Sequence, residues 1–174
     1  NEQNYLRSKR TILVLKSKVL LNLMPIAIRS DKIDLSSEKK TEELARKILK
    51  KIKPGNIIFL YGEMGVGKTT FVKYLINEFQ KIQKIKTTEV TSPTFNILNE
   101  YSINQIKIDH YDLFRLKSVE EIKNLRLFED NVNTITLIEW PQMIEKKPKN
   151  LIELIFEYEK DYQTRSVQIK GLNL

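Results

Sequence analysis

The sequence predicts an α/β domain with a central, mostly parallel sheet flanked by helices. Three observations carry that prediction. Ile57-Ile58-Phe59-Leu60-Tyr61 is a continuous apolar run between turn signals, as in a strand buried on both faces. Thr134 to Ile138 is a second apolar, β-branched run of the same kind. Between them, Phe71, Val72, Leu75, Ile76, Phe79 and Ile82 mark one face of a helix. Buried strands alternating with amphipathic helices read as a layered α/β fold.

The elements follow in order. Residues 1 to 30 form a basic extension: Arg7, Lys9, Arg10, Lys16, Lys18 and Arg29 stand against the single acid Glu2. Within it, Leu6 to Leu23 is basic and apolar, and three readings stand side by side. It is a stretch upstream of a start at Met24, a short helix or hairpin packed on the domain, or a targeting segment. Residues 31 to 174 read as one domain, without internal repeat or linker. Ser36 or Ser37 is the N-cap of a first helix carrying Leu44, Ala45, Ile48, Leu49 and Ile52 at helical spacing. Lys53-Pro54-Gly55-Asn56 is a turn. Lys84 to Thr88 is a polar loop. Phe95 to Tyr101 and Gln105 to His110 read as short strands, joined as a hairpin across Ser102-Ile103-Asn104. Ser118-Val119-Glu120-Glu121 has capping-box spacing and opens a helix to about Leu127. Leu151 to Tyr158 and Arg165 to Leu172 are closing strands with a turn near Lys160-Asp161.

Composition narrows the function classes. The net charge is +8, but residues 1 to 30 supply +5 of it, so the body is close to balanced. That weakens a general nucleic-acid surface. No run reaches the roughly 20 apolar residues of a membrane span. Without cysteine there are no disulfides and no thiolate metal sites, and the single His110 excludes a histidine-rich centre. A reducing, cytoplasmic setting fits this composition.

Chemistry concentrates between Gly62 and Thr69. Gly62-Glu63-Met64-Gly65-Val66-Gly67-Lys68-Thr69 meets the phosphate-loop pattern G-x-x-x-x-G-K-[ST] in full, and Thr70 continues into the helix. Glycines let the backbone curl so that successive N–H groups face phosphate oxygens. The helix that follows adds its positive dipole end. Lys68 is positioned to reach β- and γ-phosphates, and Thr69 to ligate Mg²⁺. Three of the chain's five glycines lie in this loop. Guanine-specificity elements and a transporter-type glycine signature are missing from the sequence, which favours ATP by elimination.

Five further positions are candidates, each with a plain alternative. Glu139, ending the second buried run, is either a metal-side acid or a solvated strand end. Trp140, followed by Pro141, either stacks at the site or packs in the core. Thr94, in Thr91-Ser92-Pro93-Thr94-Phe95, is either a γ-phosphate sensor or part of a turn. Asp112 and Arg115, in His110-Tyr111-Asp112-Leu113-Phe114-Arg115, are either an acid and a charge clamp at the phosphates or a structural ion pair. An extended chain puts His110, Asp112 and Phe114 on one side.

Taken together, the motif order resembles the TsaE (YjeE) family over roughly Ser37 to Leu172. The matching stretches are KKTEELARKI, YGEMGVGKTTFVKYL, TSPTFNILNEY, DHYDLFRL and LIEWPQ. The resemblance implies a three-layer P-loop NTPase-like fold and a small ATPase required for threonylcarbamoyladenosine formation on tRNA. It implies that hydrolysis acts on a complex of TsaD and TsaB, with tRNA reached through that complex and no membrane involved. By the same resemblance Lys68 and Thr69 hold phosphate and Mg²⁺, and Glu139 is the acidic metal partner. Asp112 is needed for hydrolysis, and Thr94 lies in a switch-like segment. Thr41 lies near the nucleotide, Arg165 near the base and Trp140 beside the site. Phe114 stands where the family often has Tyr, Arg126 where it often has Gly, and Gln142 where Glu is common. A small-molecule or nucleotide kinase, and a low-turnover ATP-dependent module binding RNA or protein, are the competing functions.

Overall fold

The computed structural model describes residues 32–129, 132–160 and 162–174. The extension of residues 1 to 30, with the readings of Leu6 to Leu23, lies outside them. A seven-stranded sheet runs through the described chain. Its strands are β1 (Ile33–Asp34), β2 (Ile57–Tyr61), β3 (Leu98–Ile103), β4 (Ile106–Asp112), β5 (Thr134–Glu139), β6 (Leu151–Tyr158) and β7 (Arg165–Lys170). Their spatial order is β1-β7-β6-β2-β5-β4-β3. The four central strands β6, β2, β5 and β4 are mutually parallel. Each edge is closed by antiparallel pairing, β3 on β4 and β7 on β6 with β1 outside it. Parallel strands need both faces covered, and β5, buried throughout, and β2, buried but for Tyr61, occupy the middle.

Two apolar clusters cover the two faces. On one, α1 (Glu38–Leu49) and α2 (Lys68–Ile82) pack Leu44, Ile48, Phe71, Leu75 and Ile76 against Ile58, Leu60, Leu137 and Leu154. On the other, Ile57, Phe59 and Ile138 meet Leu113, Ile122 and Leu127 from the segment around α3 (Val119–Asn124). A 3-10 turn at Pro141–Met143 adds Met143 to that side. The result is the three-layer arrangement expected of a P-loop NTPase-like fold. Among the described residues, no helix is long and apolar enough to cross a membrane.

Local chemistry sets the element ends. Ser37 caps α1, accepting the Lys40 amide at 3.4 Å, while Arg46 and Lys47 sit at the negative dipole end. Ser118 caps α3 by accepting the Glu121 amide at 3.2 Å. The returning carboxylate of Glu121 takes the Lys117 amide, one residue before the cap. This helix stops at Asn124 rather than near Leu127, because Arg126 turns left-handed at φ 50°.

The hairpin also differs from expectation. The strand read from Phe95 begins at Leu98, because Pro93 O accepts the Ile97 amide at 2.6 Å and Ile97 sits at φ 67°. Ser102 and Ile103 pair with Lys107 and Ile106, so the turn falls at Asn104-Gln105. Asn104 tolerates the required φ of 56° better than Ser or Ile would. β4 runs on to Asp112, which places that carboxylate at the strand's end.

Candidate functional site

The loop between β2 and α2 sits at the centre of the sheet's C-terminal edge, and its shape depends on glycine. Gly62 has φ 136°, and a Cβ there would stand 2.5 Å from the Phe156 carbonyl oxygen on β6. Gly67, at φ 113°, is the N-cap of α2 and makes no side-chain cap. The first amides of α2 therefore have no acceptor supplied by the helix or its cap residue. Such amides, together with the positive dipole end, suit an anion.

Lys68 is almost fully buried, at 4% exposure. Its Nζ donates to the carbonyls of Gly62 at 2.8 Å and Glu63 at 2.9 Å. It also lies 4.2 Å from the Trp140 ring centre. Burial pushes its ammonium below the usual lysine pKa, and the Glu139 and Asp112 charges counter this only in part. A buried cation whose hydrogen bonds go to backbone carbonyls is a strong attractor for phosphate oxygens.

Parallel register brings the acids to the same place. Asp112 pairs with Glu139, and Glu139 lies beside Leu60 at the end of β2. Glu139 is 2% exposed. Its Oε1 accepts from Thr69 Oγ1 at 2.8 Å and from His110 Nε2 at 2.9 Å. Asp112 Oδ2 accepts from Thr94 Oγ1 at 2.6 Å and Ser92 Oγ at 3.0 Å. Its Oδ1 takes the Phe114 amide at 3.0 Å. The loop bearing Ser92 and Thr94 is anchored upstream, where the buried Gln80 exchanges two hydrogen bonds with Thr88.

These groups line a cavity of about 400 Å³. Lys68, Thr69, Thr70, Ser92, Thr94, Asp112 and Glu139 supply its polar wall. Met64, Phe95, Phe114 and Trp140 supply its apolar rim, with the Phe114 and Trp140 rings 4.8 Å apart. Trp140 takes a left-handed φ of 58° at the strand's end, directly before Pro141 starts the 3-10 turn. The donor set suits a hard divalent cation held by one hydroxyl and one nearby carboxylate, with phosphate oxygens completing the shell. Among the described residues, no group of three or more His, Cys, Asp or Glu could cage a metal on protein ligands alone.

The geometry has a counterpart among known sequences. The family model of the threonylcarbamoyl adenosine biosynthesis protein TsaE matches residues 35–167. The chain belongs to the TsaE family. A tRNA threonylcarbamoyladenosine biosynthesis protein TsaE from Rickettsia bellii is 42% identical over 69% of this chain and 81% of its own length. One from Nostoc sp. is 31% identical over 82% of this chain and 86% of its own. The crystal structure of Bacillus subtilis YdiB superposes with a TM-score of 0.59, at 24% identity, over 79% of this chain and 82% of that one. That last likeness concerns the fold.

Within this TsaE-family chain, most of the candidate residues converge. Met64, Gly65, Gly67, Lys68, Thr69, Thr70, Thr94, Asp112, Glu139 and Trp140 share the cavity. Gly62 and Glu63 line a second hollow of about 580 Å³, with Tyr158 and Tyr162 on the far side of the loop from Glu139. Val66 is turned into the core at 1% exposure. Besides Val66, three candidates stand outside both linings. Thr41 is buried in α1 and donates to Ser37 O at 3.4 Å. The exposed Arg115 lies over Phe95, with 5.2 Å to the ring centre. The exposed Arg165 lies over Tyr158, at 5.7 Å. The ion-pair alternative for Asp112 and Arg115 is not formed; serine and threonine hydroxyls hold the acid instead. Sequence reasoning set His110 on one side with Asp112 but gave it no role, and gave none to Ser92 and Phe95. The alternation His110-x-Asp112 was the available signal for the first: both side chains lie on the Glu139 face of β4.

Proposed function

We propose that this protein is a Mg²⁺-dependent ATPase acting in tRNA threonylcarbamoyladenosine biosynthesis. It works on a TsaD–TsaB complex in the cytoplasm and does not modify the base itself. The observation that carries the reading is the 2.8 Å bond between Thr69 of the phosphate loop and Glu139 at the end of the neighbouring parallel strand. It couples a phosphate-loop hydroxyl to a buried carboxylate beside a buried lysine, which is the arrangement a Mg²⁺-nucleotide needs.

Each residue then has a task. Lys68 exchanges the Gly62 and Glu63 carbonyls for β- and γ-phosphate oxygens. The first amides of α2 orient the same phosphates. Thr69 and Glu139 would hold Mg²⁺, which supplies charge neutralisation on the transferring phosphoryl group. Asp112, steadied by Ser92 and Thr94, offers an acceptor wall that orients the attacking water. Trp140 and Phe114 shield Lys68 from bulk solvent, which strengthens every charge interaction in the cavity. A hydrolase needs no acceptor-substrate pocket, and positioning with electrostatic preorganisation carries the chemistry.

The test is ATP hydrolysis by the full chain alone and with the TsaD–TsaB complex. Mg²⁺-dependent phosphate release that changes on adding the complex supports the proposal. Phosphorylation of a small molecule, independent of any partner, would overturn it in favour of a kinase.

A further inference from the structure

We propose that His110 is the positioning residue of the metal-side carboxylate. As a neutral imidazole it donates from Nε2 and fixes Glu139 beside Thr69. This rests on the Mg²⁺-ATPase reading and adds a residue to it.

Four observations converge. His110 is fully buried, at 0% exposure, and is the only histidine in the chain. Its Nε2 lies 2.9 Å from Glu139 Oε1, the same oxygen that Thr69 contacts. Register explains the reach. His110 pairs with Leu137 and Asp112 with Glu139, so the imidazole sits one pleat behind the carboxylate on the same sheet face. Finally, His110 Nδ1 has no hydrogen-bond partner among the described residues. The bond to an acceptor oxygen places the single ring proton on Nε2, and Nδ1 is the bare nitrogen.

The physical need is specific. A carboxylate with 2% exposure loses most of its hydration, so protein donors must replace it. Thr69 is one donor, but its hydroxyl oxygen is the atom offered to the cation. A second donor is required to keep the carboxylate oriented whether or not the cation is present. Among the described residues, His110 is the only nitrogen donor bonded to it, and it stands within strand β4. Partners of this kind set the orientation of metal-side groups.

Two substitutions separate positioning from packing. In His110→Gln the amide nitrogen extends about as far as Nε2. In His110→Asn it stops about at Nδ1, short of Glu139. Both are neutral and polar; His110→Asn is one methylene smaller, so a packing loss would show equally in the metal-free binding of the analogue, whereas a positioning loss shows only in metal affinity. In the full chain, Mn²⁺ affinity is measured by electron paramagnetic resonance with a non-hydrolysable ATP analogue. Metal-free binding of the same analogue, followed by fluorescence of the single Trp140, reports whether each variant keeps its folded cavity. The expected result is a loss of about 10- to 100-fold in Mn²⁺ affinity for His110→Asn, with His110→Gln close to wild type. Metal-free binding stays equal in all three. Equal Mn²⁺ affinities for the two variants, both intact or both weakened, overturn the assignment of His110 alone. A wild type that binds the analogue without taking up Mn²⁺ overturns the Mg²⁺-ATPase reading, and the positioning role with it.

Discussion

Glu139 shows how much one residue depends on its setting. Its carboxylate is buried between a hydroxyl and an imidazole donor. Glu139→Gln keeps a carbonyl oxygen for those donors and removes only the charge. The expected result is nucleotide binding near wild type with turnover lowered by about 100-fold, as when one electrostatic element of a site is removed. Parallel titration of nucleotide and single-turnover kinetics check it, and equal losses in both would count against a role in hydrolysis. Asp109, on the other face of β4, makes the opposite case. Burial raises its pKa above the ordinary 3.8, and Lys107 at 3.1 Å only partly offsets this. The charged form is thus disfavoured in the fold. Wild-type stability relative to a neutral residue is full below the unfolded carboxyl pKa and declines as pH rises through the folded one. Asp109→Asn should therefore raise the urea midpoint at pH 7, with a gain that vanishes below about pH 3, under the unfolded carboxyl value. Lys107 keeps its bond to Glu100 at 2.8 Å, so the substitution strands no cation.

At the scale of elements, legibility followed the strength of the local signal. The runs at Ile57 and Thr134 gave buried central strands, because nothing but a doubly covered sheet accommodates them. The phosphate loop was legible residue by residue, since glycine there answers steric demands such as the Phe156 carbonyl facing Gly62. The hairpin was misjudged by several residues. Ile97 at φ 67° is a β-branched residue in a conformation that its own propensity opposes, so the turn bond to Pro93 and the tertiary bond from Asp112 overrode the local preference. The α3 end was misjudged for a related reason, with Arg126 held left-handed at φ 50°. A left-handed L-residue costs about 1–2 kcal/mol, of which glycine's extra unfolded-state entropy would return roughly half. Arg126→Gly should accordingly stabilise the domain by about 0.5–1 kcal/mol. Arg126 and Glu129 are both exposed and 3.7 Å apart, so losing that pair changes little. A rise of a few degrees in melting temperature checks this, and a fall would show that the Arg126 side chain has a packing role.

The whole molecule adds what no segment contains. The candidate acids end the consecutive strands β4 and β5, and only the order β2-β5-β4 puts Glu139 and Asp112 in register beside the loop. From the residues alone they were two separate possibilities, and only the resemblance joined them. Thr41 and Arg165 were placed by resemblance alone and Arg115 by a local reading, and here all three stand outside the cavity lining. The same architecture couples the site to global stability. β2 contributes Ile58 and Leu60 to one apolar cluster and Ile57 and Phe59 to the other, and it ends at the phosphate loop. A ligand held by that loop binds only when both faces of the sheet are intact. Ligand linkage then predicts that Mg·ATP at about 100 times its dissociation constant stabilises the fold by about 2.7 kcal/mol. For a chain of this size that corresponds to roughly 5–10 °C in melting temperature. Lys68→Ala deletes the buried ammonium while leaving both clusters in place, so its melting temperature should stop responding to Mg·ATP. Thermal unfolding of both proteins, with and without nucleotide, measures the difference. A shift of equal size in the variant would mean that nucleotide is held somewhere other than the loop.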